Sequence, residues 1–78
     1  MTDLAMIPIG KPVVMTDLNK IEDRLRRRLL ALGFYEGCLV VVRRRASFQG
    51  PLTIEQRDHH QMIAIRKSDA KNIGVFLP

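Results

Sequence analysis

The stretch "CLVVVRRRASFQGPLTIEQRDHHQMIAIRK", residues 38–67, decides the fold. It opens on a β-branched run, "CLVVVRRR" (38–45). "PLTIEQR" (51–57) and "QMIAIRK" (61–67) then alternate apolar and polar residues with the period of two that a half-buried strand requires. The intervening "ASFQG" and "DHH" have the length of hairpin turns. Three strands joined this way form an antiparallel meander, since parallel neighbours need crossovers of about a dozen residues.

Upstream lies "DRLRRRLLALGFYEG", residues 23–37. Ile21, Leu25, Leu29 and Leu32 recur at helical spacing and fall on one stripe that must face a core. Asn19 is the expected N-cap, with Glu22 three residues on to complete an Asn-led capping box, and Gly33 ends the helix. Arg24 and Arg28 flank the stripe, where their stems cover apolar surface. Arg26 and Arg27 point away from it, with Glu22–Arg26 and Asp23–Arg27 as acid-before-base pairs four apart. Leu30 projects opposite the stripe.

Val13–Leu18 reads as a strand entering this helix, and Pro8, Gly10 and Pro12 make residues 1–12 an extended, turning lead-in. Downstream, "SDAKN" suggests one helical turn capped by Ser68, and "IGVFL" a final strand. The sequence therefore predicts one mainly β domain over residues 1–78. It is a small barrel of about five strands, closed or nearly closed to hide its edges, with a helix inserted after the first strand.

A 78-residue chain that is 46% apolar and 27% charged has the composition of a folded soluble domain. Thirteen Lys and Arg against eight acidic residues give a net charge of +5, which favours an anionic partner or surface. Cys38, the single cysteine, opens an apolar run, so a buried reduced thiol in a reducing compartment is expected. "CLVVV" is far short of the ~18 apolar residues of a spanning helix, and the N-terminus has no signal-peptide pattern. A cytoplasmic protein is the expectation.

No catalytic constellation is visible: no serine or cysteine has a partnered histidine and carboxylate, and no glycine-rich phosphate loop occurs. The chain is therefore read as a non-enzyme. No cofactor is expected. The one opening for Fe(II) or another divalent metal is the pair His59 and His60 in the "DHH" turn, which lacks the spaced partners of a metal site. Nucleic acid is disfavoured because strand alternation turns Arg44 away from Arg43 and Arg45, and because no aromatic is interleaved with the arginines.

The succession "RLRRRLLALGFYEG" then "CLVVVRRRASFQGPLTIEQRDHHQMIAIRKSDAKNIGV" resembles the FeoA family. The matching elements are a helix ending in Leu32–Gly33, then Gly37 leading into the Val40–Val42 strand, the Gly50–Pro51 turn, the Ala64–Ile65–Arg66 strand, and Ala70, Ile73 and Val75 at the close. The resemblance implies an SH3-like β-barrel with an inserted helix. It also implies an accessory role in ferrous iron uptake, at the cytoplasmic side of FeoB, a membrane Fe(II) transporter with a GTP-binding domain. The partner surface expected here is the outward set Arg26, Arg27 and Leu30, a basic rim around an apolar contact. The alternatives are a basic Sm-like nucleic-acid-binding barrel, whose helix precedes its first strand, and an Fe(II)-sensing module at His59 and His60.

Overall fold

The structure, a computed structural model, describes residues 2–78. In chain order it contains β1 (Thr2–Asp3), a 3-10 turn (Leu4–Met6), β2 (Val13–Asp17), α1 (Asp23–Ala31) and β3 (Leu39–Arg45). Then follow β4 (Leu52–Gln56), β5 (Met62–Ile65), α2 (Lys67–Ala70) and β6 (Gly74–Phe76). The meander is present as β3, β4 and β5, with Val42 opposite Ile54 and Ile54 opposite Ile63. All pairings are antiparallel, in the sheet order β1-β6-β2-β3-β4-β5.

The small β architecture with one inserted helix stands, with two differences from the sequence reading. A sixth strand lies in the lead-in, so the helix follows the second strand. It is two residues long and pairs only with β6, through Thr2–Val75 and Asp3–Gly74, too short to carry a periodic signal. And β1 does not pair with β5, so the sheet curls within a body of 28 × 26 × 25 Å without closing. α1 lies at the free edge of β5, with Leu25 and Arg28 facing Ala64 and Ile65 across a shallow groove.

Alternation fills the interior: Val13 and Met15, Val40 and Val42, Leu52 and Ile54, and Ile63 and Ile65 point inward from successive strands. Leu25 and Leu29 close the core from α1, and Ile21 enters it from just before the helix. The start of α1 differs from the expected cap. The Asn19 amide donates to Asp17 Oδ1 at 2.8 Å, which holds Asn19 in a turn after β2, and Glu22 takes the cap position without a side-chain bond. Arg26 pairs with Asp23 three residues back, and Glu22 lies 3.7 Å from Arg66 in place of Arg26. The cap of α2 is likewise Arg66 and not Ser68, which sits inside the helical turn.

The other end of α1 forms as its sequence directs. Gly33, at φ +90°, lets Phe34 N–H reach Leu29 C=O at 2.9 Å and Gly33 N–H reach Leu30 C=O at 3.1 Å, the paired bonds of a Schellman turn. Phe34 and Leu29 are both fully buried beneath it. Next to this turn stands Gln56, also without exposed surface. Its Nε2 donates to Gly33 C=O at 3.2 Å, and its Oε1 accepts from Asp58 N–H at 2.6 Å and His59 N–H at 2.9 Å. One carboxamide therefore fastens the helix exit to the β4–β5 turn.

Gln56→Leu, which keeps the volume but strands these partners, is expected to lower unfolding free energy by about 2–3 kcal/mol. Urea denaturation checks this; an unchanged midpoint would show that water replaces the carboxamide.

Candidate functional site

Because the stripe of α1 faces inward, its opposite face is presented outward. Leu30 is 52% exposed there, Arg27 is exposed, and Arg26 stands beside them with its side chain 34% exposed. The structure brings the three onto one face but divides the two arginines. Arg26 is neutralised by Asp23, whereas Arg27 has no ion-pair partner among the described residues. The result is an apolar side chain flanked by one free cation and one ion pair. Arg24 and Arg28 lie on the flank, lining the groove against β5 together with Arg66, which Asp69 holds at 3.0 Å.

Arg43, Arg44 and Arg45 meet three different fates. The β3–β4 register shifts between Val42 and Arg44, and this bulge changes the parity expected from simple alternation. Arg44 lies opposite Thr53, and Arg43 swings to the same face, where its Nε donates to Glu55 Oε1 at 2.5 Å. Arg45 lies opposite the buried Leu52 and donates to Ala5 C=O at 2.9 Å and to Ile7 C=O. It thereby pins the 3-10 turn to the end of β3. Arg44 alone of the three is left without a partner among the described residues.

Glu55 is 6% exposed although it points away from the core, because Arg43 and His60 cover it. His60 Nδ1 lies 3.1 Å from Glu55 Oε2. His59 goes elsewhere: its ring lies over Gly33, with Cδ2 3.3 Å from where a Cβ there would stand. The two histidines thus serve separate contacts. Among the described residues, no three His, Cys, Asp or Glu side chains are grouped to hold a metal. Cys38 is buried, and burial pushes its thiol up, which keeps it a protonated core residue that accepts from Tyr35 N–H at 3.3 Å.

The arrangement offers docking surfaces. Sequence reading missed the Arg43–Glu55–His60 cluster because a bulge has no periodic signature and because no glycine marks the left-handed backbone at His60, φ 57°, that sets where its ring goes. The available signal was a glutamate in an otherwise apolar-alternating strand opposite an arginine-rich one.

The Arg43 guanidinium, followed by the His60 contact, holds the Glu55 carboxyl below its ordinary value of 4.5. A carboxylate whose pKa is lower folded than unfolded stabilises above the unfolded value, and that contribution disappears as pH falls through the folded one. Glu55→Gln is expected to be less stable than wild type at neutral pH and to lose less stability on acidification. Urea midpoints measured along a pH series check this, and parallel curves for the two proteins would contradict it.

The FeoA domain family matches residues 2–76. The chain is similar to the solved FeoA protein of Chlorobium tepidum, at 25% identity and TM-score 0.87 over 97% of this chain and 70% of that one. It is similar to the FeoA-like protein of Clostridium acetobutylicum, at 25% identity and TM-score 0.72 over 99% and 90% of the two chains. It is also similar to Stenotrophomonas maltophilia FeoA in complex with zinc, at 28% identity and TM-score 0.71 over 97% and 91%. That protein is described as a procaryotic SH3 domain protein and a suggested ferrous iron transport activating factor. No curated protein matches the chain. The curled sheet with its inserted helix is the SH3-like fold of these proteins, and with residues 2–76 matched, the chain belongs to the FeoA family.

Proposed function

We propose that this chain is an accessory factor of ferrous iron uptake that docks on the cytoplasmic part of the FeoB Fe(II) transporter and modulates its GTPase or transport activity. Family membership over residues 2–76 carries the reading. The description of the Stenotrophomonas relative as a suggested transport activating factor supports it. No helix among the described residues is long and apolar enough to cross a membrane, which fits a factor that acts on a transporter from outside the bilayer.

The docking surface in this reading is the outward face of α1. Leu30 supplies apolar area that is removed from water on contact, and Arg27 supplies the unpaired charge that orients an acidic counterpart and hastens encounter. Arg26 contributes mainly through its stem, since its charge is already matched by Asp23. The chain acts by occupying a surface, and Fe(II) in this scheme is the transporter's cargo.

Arg27→Glu combined with Leu30→Asp is expected to weaken binding to the purified cytoplasmic domain of FeoB about tenfold or more in titration calorimetry, a loss typical of removing an interface anchor. Both positions are exposed, so the unfolding transition should stay where it is. Unchanged affinity would move the interface off this face. Absence of binding by the wild-type chain would overturn the partnership.

A further inference from the structure

The β3–β4 hairpin ends in a turn whose residue choice works against its own backbone. Ala46 N–H donates to Pro51 C=O at 3.0 Å and Gly50 N–H to Ser47 C=O at 3.1 Å, leaving Phe48 and Gln49 as the two central residues. Both have positive φ, 57° and 66°, the sign pattern of a type I′ turn. Such positions favour Asn and Gly; a bulky aromatic there is strained. The same Phe48 is 100% exposed. Neither local conformation nor burial accounts for phenylalanine at this place, which directs attention to what it could contact outside the chain.

The surroundings say what kind of surface it meets. Lys67 Nζ donates to Gln49 Oε1 at 2.6 Å, which ties α2 to the strained turn. The depression beside it is lined by Gln49, Arg66, Lys67, Ser68 and Lys71, three of them basic and none acidic. Arg44 precedes the turn on β3, and neither Arg44 nor Lys67 has a carboxylate partner among the described residues. Met6, 69% exposed, lies between the two carbonyls that Arg45 holds at the root of this hairpin. A protein hot spot packs its aromatic at the centre of a surrounding patch, and a single-strand binder offers several stacking platforms. A solitary aromatic at a protruding tip with free cations behind it suits a soft apolar layer under an anionic surface.

We propose that Phe48 is a membrane-interface anchor, inserting at the headgroup level of an anionic bilayer while Arg44, Lys67 and Lys71 hold the phosphates. One apolar side chain and a few cations each contribute modestly, about fivefold in partitioning per cation near such a surface, so binding is weak, reversible and salt-sensitive. This surface is formed by the β3–β4 hairpin and α2, so it can act whether or not α1 docks on a transporter.

The chain has no tryptophan, so Phe48→Trp places a sole indole at the tip. Its emission should shift to the blue with phosphatidylcholine vesicles containing phosphatidylglycerol, shift little with phosphatidylcholine alone, and recover on adding salt. Wild-type chain should co-sediment with the same anionic vesicles. The double variant Phe48→Asn, Gln49→Gly, which supplies the residues the turn prefers, should unfold at higher temperature yet partition about tenfold less. An unshifted indole with anionic vesicles, wild-type co-sedimentation of the double variant, or a shift produced only by the FeoB domain or by single-stranded RNA would overturn the proposal.

Discussion

The carboxamide of Gln56 hydrogen-bonds two pieces of backbone far apart in the chain: the exit of α1 at Gly33 and the start of the β4–β5 turn at Asp58 and His59. A chain of this size has a thin core, and apolar contacts alone leave the rotation and seating of a nine-residue helix loosely specified. A buried amide with both its ends satisfied admits few arrangements. Once Gly33 is fixed, Phe34 and Leu29 are stacked beneath the helix end and the stripe of α1 is committed to the sheet. Arg27 and Leu30 face outward as a consequence.

The arginines show how one residue type is divided by geometry. Arg45 is spent on carbonyls of the 3-10 turn, Arg43 on a glutamate that it helps to bury, and Arg26 and Arg66 on nearby aspartates. Those four shape the fold. Arg24, Arg27, Arg28, Arg44 and Arg57 are exposed and have no carboxylate partner among the described residues, so their charge is left to the surface. Net charge alone does not distinguish these roles, and neither does a run of three arginines read as a motif. For Arg43, Arg44 and Arg45, what separates them is the register of β3 on β4.

Periodicity reached as far as the meander, the inward stripe of α1 and the glycine that ends it, because each is a repeating or punctuating pattern confined to its own segment. The outward set Arg26, Arg27 and Leu30 followed from the same helical wheel, since a buried stripe fixes its opposite face. What escaped depends on long-range pairing. β1 exists because β6 has a free side, Asn19 does not cap because Asp17 takes its amide, and Arg43 faces Glu55 because of a bulge. None of these leaves a trace in a window of ten residues. The "ASFQG" turn was legible as a turn, but the residues that would announce its type are absent from its centre.

That mismatch connects stability to surface. The Schellman turn at Gly33 uses glycine where φ +90° demands it, so the chain has the appropriate residue where only folding is at stake. At Phe48 and Gln49 the backbone makes a similar demand and the sequence departs from it, with a side chain that folding leaves wholly in water. Local rules are obeyed where the core depends on them and broken at a protruding tip. A sequence under selection for the fold alone has no reason to break them there.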